Sequence, residues 1–352
     1  MYLLDTRTEA GYRIHVAVFQ GKEKMANQTE GGQLLMSSNI KIRSYEPKDI
    51  GEVVPLLNRC LAADPITSEL FQRKVLLDIN YDPRGALVAV EGAKIVGFAL
   101  GIVRTFKLED SAPDFDRSWI TLFGVDEPYR RQGIGTRLLE GLEEYFKARE
   151  CKMTIISGYA PNYFVPGIDP QTYPEALEFF SKRGFTEVYR PLSMDSDLVR
   201  LQTPAWSIEK EKSLIEAGVK FEPYNPELIL PLLDFMKVEF PGDWQRFLRD
   251  AMTRITTGEY HPTNLWIAHA DGKVLGFAMH DNGCRFGPFG VAQSERGRGI
   301  GVVLLLKILN GMKAKGLHNA WFLWTDDVAA KVYDAGGFKE TRRFAYMRKA
   351  LK

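Results

Sequence analysis

A Gly-rich hexapeptide of the form Arg-x-x-Gly-Ile-Gly occurs twice in this chain, first as Arg130-Arg131-Gln132-Gly133-Ile134-Gly135 and again as Arg296-Gly297-Arg298-Gly299-Ile300-Gly301. Each copy follows a short apolar stretch and precedes a run whose apolar residues lie three and four positions apart. That spacing is typical of an amphipathic helix. Each hexapeptide is therefore predicted to connect a strand to a helix, and the fold follows from this repeated unit.

The similarity extends outward on both sides of the hexapeptides. Upstream, Val88–Ala99 and Ile267–Ala278 each place apolar residues around a Glu-Gly or Asp-Gly pair, which is typical of a β-hairpin. Downstream, each unit ends on a Gly-Phe pair. We therefore predict a duplicated α+β fold, with an N-terminal domain over residues 38–200 (copy one), a C-terminal domain over residues 206–352 (copy two) and a linker near Leu201 to Ala205.

Spacing shows where the copies differ. Gly97 and Gly133 are 36 positions apart, whereas the matching Gly276 and Gly299 are 23 apart. A second difference of the same size falls between the hexapeptide and the Gly-Phe pair. Both insertions of copy one fall in predicted loops, Thr105–Arg117 and Tyr159–Tyr173, and loops tolerate insertion. The second is rich in aromatic residues and proline, so it either lines a substrate pocket or covers a sheet edge.

Residues 1–37 differ in character from the rest of the chain. Codons for Glu30-Gly31-Gly32 can spell a purine-rich ribosome-binding sequence, and Met36 follows at a suitable distance. We expect translation to start at Met36 and the preceding residues to be a disordered or mis-annotated extension.

Composition narrows the functional class. With 46 basic and 45 acidic residues the net charge is +1, which argues against nucleic-acid and membrane-surface binding. The three cysteines are far apart in sequence, which is typical of reduced thiols in the cytoplasm. The five histidines lack metal-ligand spacing, so no metal is expected.

The Gly-rich loop suits an anionic ligand. Glycine lets backbone N–H groups approach an anion closely, and a helix start adds free donors and a positive dipole end. A P-loop would require Gly-Lys-Ser/Thr, but Thr136 or Val302 stands where the lysine should be. A dinucleotide fingerprint would require a third glycine, where Leu138 or Leu304 stands.

On these motifs the chain resembles the GCN5-related N-acetyltransferase (GNAT) superfamily, and in particular tandem members such as the mycothiol synthases. The resemblance spans Ile40 to Lys352. It implies in each domain a mostly antiparallel mixed sheet with a V-shaped splay, flanked by helices, and acetyl-CoA as co-substrate. The residues it implies for cofactor binding are Arg130, Arg131, Gln132, Gly133, Ile134, Gly135 and Thr136 in copy one and Arg296, Gly297, Arg298, Gly299, Ile300 and Gly301 in copy two. It also implies a carbonyl-polarising backbone amide at Phe123 or Val125, and at Phe289 or Val291.

The resemblance also implies a tyrosine general acid four residues before the Gly-Phe glycine. Copy two has Tyr333 there and copy one has Phe180, which has no proton to give. We therefore expect chemistry in copy two, since the spacing matches and copy one lacks only the hydroxyl. An aromatic residue that covers the sheet is the alternative interpretation of Tyr333.

Other residues are weaker candidates for a role in catalysis. His280, Asp281 and Asp326 fall near strand ends where a general base could lie. If copy one were active instead, the nearby hydroxyls are those of Tyr159, Tyr163 and Tyr173.

The predicted function is transfer of an acetyl or short acyl group from acyl-CoA to a primary amine of a small molecule or peptide. The alternative is a non-catalytic acyl-CoA-binding or sensory module. A monomer is expected because two domains in one chain imitate a dimer, and a dimer is the alternative.

Overall fold

The computed structural model describes residues 40–352, so the expectation about the N-terminal extension lies outside the described residues. Each copy runs through a strand, two helical segments, a hairpin of two strands, a fourth strand, a helix, a fifth strand, a helix and two final strands. The elements of copy one are β1 (Ile40–Ser44), α1 (Ile50–Cys60), α2 (Ser68–Phe71), β2 (Ala86–Glu91), β3 (Lys94–Val103), β4 (Arg117–Val125), α3 (Ile134–Ala148), β5 (Met153–Ile156), α4 (Pro174–Ser181), β6 (Thr186–Tyr189) and β7 (Leu192–Asp197).

Copy two repeats this order after an additional helix that the sequence analysis did not predict. Its elements are α5 (Ala205–Glu216), β8 (Lys220–Pro223), α6 (Ile229–Glu239), α7 (Asp243–Thr256), β9 (Leu265–Ala270), β10 (Lys273–His280), β11 (Phe286–Val291), α8 (Ile300–Ala314), β12 (Asn319–Thr325), α9 (Asp327–Tyr333), β13 (Lys339–Arg343) and β14 (Tyr346–Ala350). The predicted α+β class and the duplication are confirmed.

The helix after each Gly-rich loop packs on its own hairpin. In α3 the residues Leu138, Leu139, Leu142 and Phe146 form one apolar face and are at most 3% exposed. A Cβ on Gly101 of β3 would lie 2.5 Å from the Phe146 ring, so the glycine lets helix and sheet approach. This contact fixes where the Gly-rich loop and the start of α3 stand relative to the sheet.

The last strands of the two copies are exchanged. β14 of copy two lies between β5 and β6 in the seven-stranded sheet of copy one, in the order β1-β2-β3-β4-β5-β14-β6. Conversely, β7 of copy one lies between β12 and β13 in a three-stranded sheet of copy two, and the remaining sheet has the order β11-β10-β9-β8. Met347 is therefore buried in the core of copy one, and Leu192 and Met194 in that of copy two.

The exchange takes place at two short connections, Arg190–Pro191 and Phe344–Ala345. The two connections are in contact where they cross, since the Phe344 N–H donates to the Pro191 carbonyl at 2.9 Å. An antiparallel pair of this kind would otherwise close into a hairpin within one copy. The sequence-based boundaries at residues 200 and 206 remain a prediction, and each side of them supplies a central strand to the other.

Both insertions of copy one contact copy two. In the first, the Glu109 carbonyl accepts from the Gly242 N–H at 2.8 Å, and its carboxylate lies 3.0 Å from Nε of Arg249. In the second, the Tyr163 ring stands edge-on to Trp324, with centroids 5.2 Å apart. The insertions therefore add to the joint between the copies.

The sheet of copy one opens between β4 and β5. The parallel pairing of these strands ends at Ile120 opposite Ile156, whereas β4 stays paired with β3 as far as Val125 opposite Gly97. The last residues of β4 therefore present one backbone edge to an open groove, which is the expected V-shaped splay. Among the described residues, no helix is long and apolar enough to cross a membrane.

The exchange predicts that neither copy is stable alone. Expressed separately, residues 40–203 would lack β14 and residues 204–352 would lack β7, and each would expose unpaired strand edges that favour aggregation. We expect the two fragments to be insoluble or oligomeric when separate and to copurify as a 1:1 complex when coexpressed. Size-exclusion chromatography and circular dichroism would measure this, and a monodisperse, cooperatively unfolding monomer of either fragment would contradict it.

Candidate functional site

A cavity of about 650 Å³ opens in copy one where β4 and β5 part. Its volume falls within the range of about 300–1,000 Å³ that is common for ligand sites. Its walls are the connection between α1 and α2, the end of β4, the Gly-rich loop with the start of α3, the second insertion, and α4. The lining includes most of the predicted cofactor residues of this copy, namely Phe123, Val125, Arg130, Arg131, Gly133, Gly135 and Thr136. Gln132 and Ile134 are not part of it, and Ile134 is instead buried in the core.

The two Gly-rich loops have the same backbone conformation. In copy one the φ angles of Arg131 and Gly133 are +61° and +82°, and in copy two those of Gly297 and Gly299 are +81° and +95°. Alternating left-handed residues of this kind turn successive N–H groups toward one concave side, which suits an anion. The loop ends at the N-cap of α3 or α8, whose first N–H groups lack partners within the helix.

Backbone amides of β4 face the same groove. The Asp126 N–H donates to the Val96 carbonyl on β3 at 2.9 Å, so the N–H of the preceding Val125 points away from β3. Phe123, two residues earlier on the same strand, shares that orientation. Nε of Arg130 donates to the Val125 carbonyl at 3.0 Å and holds the loop against the strand end. The two amides implied by the family resemblance thus lie on the open edge.

A β-bulge at Thr121 marks the point where the groove begins. Leu122 lies opposite Leu100 and Ile120 opposite Gly101, which leaves Thr121 as the additional residue on β4. Thr121 is 8% exposed and lines the cavity. Its Oγ1 has no hydrogen-bond partner among the described residues. A buried hydroxyl without a partner costs about 1–3 kcal/mol, so a ligand that supplied one would be stabilised here.

Phe180 and Tyr333 occupy matching places in the two copies. Phe180 is buried and packs against Phe123, with ring centroids 5.3 Å apart. Tyr333 is partly buried and packs against Phe289 at 5.8 Å and Phe322 at 4.5 Å. Burial raises the pKa of Tyr333, so its hydroxyl remains protonated at neutral pH. A hydroxyl at this place distinguishes copy two, as the sequence indicated.

A side chain lies over Gly299 in the Gly-rich loop of copy two, whereas the matching Gly133 of copy one is open. A Cβ built on Gly133 meets no atom within 4 Å, but one on Gly299 would lie 2.6 Å from Cε of Lys210. Lys210 belongs to the unpredicted helix α5, which is tied to α8 by an ion pair of 2.6 Å between Glu211 and Lys307. The lysine side chain thus lies across the surface where the resemblance implies a pyrophosphate.

The three groups considered as a general base have structural roles. His280 is 1% exposed, and its Nε2 lies 3.2 Å from Nζ of Lys315. Burial, aided by Lys315, lowers the pKa of His280 to about 4, so the ring is neutral at neutral pH. Asp281 accepts from the Gly283 N–H, and Asp326 caps α9. None of the three lines the copy-one cavity.

Of the three hydroxyls considered for copy one, only that of Tyr173 belongs to a residue lining the cavity. The Tyr159 hydroxyl is buried, donates to the Asp78 carboxylate and accepts a hydrogen bond from the Asn80 side-chain amide. Tyr163 packs on Trp324 outside the lining. The Tyr173 hydroxyl donates to the Asp64 carboxylate at 2.8 Å, so it ties α4 to the connection after α1.

An ion-pair network that the sequence analysis missed supports this wall. Arg342 of copy two donates to the Asp64 carboxylate at 2.6 and 3.1 Å and to that of Asp169 at 2.8 Å. Burial raises the pKa of Asp169, but hydrogen bonds from Arg342 and Thr172 outweigh that effect and lower it overall. Asp64 and Arg342 are 278 positions apart, and no local pattern in the sequence connects them.

With this geometry established, comparison with known proteins identifies the family. The model of the acetyltransferase (GNAT) family matches residues 53–163 and again residues 229–338. The chain belongs to the GNAT family. The double match also agrees with the duplication, and the tandem resemblance drawn from the Gly-rich loops is confirmed. A search of curated proteins found no match.

Several solved GNAT structures are similar over the whole described fold. A GCN5-related N-acetyltransferase from Sphaerobacter thermophilus has 18% identity and a TM-score of 0.67 over 90% of this chain and 96% of its own. A tandem GNAT protein from the clavulanic acid biosynthesis pathway has 15% identity and a TM-score of 0.57, over 89% and 99%. A glucosamine N-acetyltransferase region of a fungal multi-domain β-N-acetylglucosaminidase has 19% identity and a TM-score of 0.72 over 88% of this chain. This chain spans 38% of that fungal chain. At these identities the similarity shows the fold.

The network around Arg342 predicts a large difference between two adjacent arginines. Arg342→Ala leaves two largely buried carboxylates unpaired, and we expect the free energy of unfolding to fall by about 2–3 kcal/mol. Arg343, which pairs with the exposed carboxylates of Glu340 and Asp327, is the control, and Arg343→Ala should cost less than about 1 kcal/mol. Urea denaturation would measure both, and equal losses would show that Arg342 does not hold the wall.

Proposed function

We propose that the protein is an acyl-CoA-dependent N-acyltransferase whose acyl donor and amine acceptor meet in the copy-one cavity. The observation that carries this proposal is the continuity of the cavity, which runs from the open Gly-rich loop at Gly133 and Gly135 to the β4 edge at Phe123 and Val125. The anion-binding Gly-rich loop and the backbone donors of the β4 edge thus line the same cavity. That arrangement suits a ligand with phosphates at one end and a thioester at the other.

The chemistry at the β4 edge follows from these groups. A neutral amine attacks the thioester carbonyl carbon, the C–N bond forms, and the carbonyl oxygen becomes an oxyanion. The N–H of Phe123 or Val125 donates to that oxyanion, a contribution of about 3 kcal/mol in other enzymes. The C–S bond then breaks, CoA leaves as its thiolate, and the amine loses one proton. Because a thiol pKa is about 8.5, the thiolate is a moderate leaving group even before it is protonated.

A second candidate places the reaction in copy two, with Tyr333 as the acid that protonates the thiolate. The hydroxyl of Tyr333 favours it, and Phe180 in copy one lacks that group. The Lys210 side chain over Gly299 would have to move before a pyrophosphate reached the Gly299 amide, and its ammonium group would then be free to pair with a phosphate. A non-catalytic acyl-CoA-binding module is the remaining candidate, and it predicts binding without thiol release.

Matched glycine substitutions separate the two copies. Gly133→Ala and Gly299→Ala each place a Cβ at a left-handed residue, so both should cost about 1 kcal/mol of stability. We expect Gly133→Ala to weaken acetyl-CoA binding at least tenfold, because the Cβ would occupy open space that a phosphate on the loop amides needs, and Gly299→Ala to leave binding unchanged. Calorimetry on the full chain, with release of CoA thiol across a panel of amines, would measure this. The reverse pattern, or loss of turnover with intact binding in Tyr333→Phe, would move the chemistry to copy two.

The unpartnered hydroxyl of Thr121 predicts a further contact with the substrates. Thr121→Val keeps the shape of the side chain and removes the donor, so we expect kcat/KM to fall about tenfold. Thr121→Ser restores the hydroxyl and should recover most of the activity. Because the hydroxyl has no partner within the described residues, Thr121→Val should not lower the thermal stability and is expected to raise it. Equal activity of the valine variant and the wild type would show that no substrate bonds to this hydroxyl.

A further inference from the structure

Three cations surround the anion-binding end of the copy-one cavity. The aligned positions of copy two carry no charge, although Lys210 of α5 brings one cation to the loop of that copy. The cation cluster consists of Arg131 on the Gly-rich loop and Lys182 and Arg183 at the end of α4, and all three line the cavity. When the copies are aligned on their Gly-rich loops and Gly-Phe pairs, copy two carries Gly297, Ala335 and Gly336 at these positions. The two copies share the loop itself and differ in the charge that surrounds it.

Arg183 is held in place by neutral groups. Its Nη1 donates to the Phe179 carbonyl at 3.0 Å, its Nη2 donates to Thr136 Oγ1 at 2.5 Å, and its guanidinium lies 3.6 Å from the centre of the Phe179 ring. Thr136 belongs to the first turn of α3, so the cation is fixed beside the helix start. Among the described residues no carboxylate forms an ion pair with it. Its charge is therefore available to a ligand.

Arg131 adopts a backbone conformation that arginine rarely takes. Its φ is +61°, in the left-handed region, which costs a non-glycine residue about 1 kcal/mol, whereas copy two has Gly297 at the same place. The Arg131 side chain reaches toward α4. There it adds to the effect of Lys182, the main cause, in lowering the pKa of Glu178. A strained arginine where glycine would fit indicates that its side chain has a use.

The charge balance of the cavity mouth remains positive when the acidic residues are included. Arg130 lies 3.5 Å from Glu175, and Lys182 forms an ion pair with Glu178. These pairs account for two of the four cations at the mouth. For the other two, Arg131 and Arg183, no ion pair is found among residues 40–352. A pyrophosphate bound on the loop amides would use backbone donors first. The two remaining guanidinium groups suit a further phosphate, since one guanidinium group can donate two parallel hydrogen bonds to two oxygens of the same phosphate.

We propose that the cation cluster binds the ribose 3′-phosphate of CoA and makes copy one selective for donors that carry it. This inference rests on the proposed function, because it assumes that the pyrophosphate lies on the loop between Arg130 and Gly135. The 3′-phosphate is a phosphomonoester at the same end of CoA as the pyrophosphate, outward from the pantetheine arm. Arg131 and Lys182 are exposed, whereas Phe123 and Val125 on the β4 edge are partly buried, so the cation cluster lies on the solvent side of the cavity lining.

The test compares CoA with 3′-dephospho-CoA on the full chain by isothermal titration calorimetry. We expect wild type to bind CoA at least tenfold more tightly than 3′-dephospho-CoA. Arg131→Gly introduces the residue that copy two already has and removes the backbone strain, so thermal stability should stay equal or rise. Its affinity for CoA should fall about tenfold while that for 3′-dephospho-CoA stays unchanged, and Arg183→Gln should behave alike.

Arg200→Gln is the control, because Arg200 is an exposed arginine outside the cavity lining, and it should leave both affinities unchanged. Equal affinity of the wild type for the two ligands, or parallel loss of both in Arg131→Gly, would overturn the 3′-phosphate site and leave the proposed function standing. Binding of neither ligand would overturn both.

Discussion

The exchange of β7 and β14 is the constraint on which the rest of this structure depends. Each of these strands is central in the sheet of the other copy, so the hydrogen bonds and apolar contacts that complete one core come from the other half of the chain. The exchange also brings Arg342 at the end of β13 against Asp64 and Asp169 of copy one. One topological feature thus joins the two copies and supports a wall of the cavity.

The duplicated fold offers two anion-binding loops of equal backbone shape, and their surroundings make them unequal. Copy one has an open loop, a continuous cavity and unpaired cations. Copy two has a lysine side chain across its loop and a tyrosine where copy one has phenylalanine. The difference is one of access and charge rather than of fold. A duplicated domain can divide its work in this way because side chains at the loop can change while the loop backbone is kept.

Both insertions of copy one serve the joint and the cavity together. The first holds the start of α7 through the Glu109 carbonyl, and the second supplies cavity lining from Phe164 to Tyr173 while Tyr163 packs on Trp324. The sequence left two roles open for the second insertion, a pocket wall or a cover for a sheet edge. The structure shows a pocket wall that is also anchored to copy two.

The sequence by itself determined the elements that depend on local pattern: the repeated hairpins, the Gly-rich loops, the amphipathic helices and the contrast between Phe180 and Tyr333. Periodicity and turn residues act over a few positions, so they can be read along the chain. Only the tertiary structure decided which copy has an open cavity, that Lys210 covers Gly299, that β7 and β14 change places, and that Arg342 pairs with Asp64. These features join residues tens to hundreds of positions apart. Either hairpin partner would satisfy the local pattern of the last strands, so the choice rests on packing across the two copies.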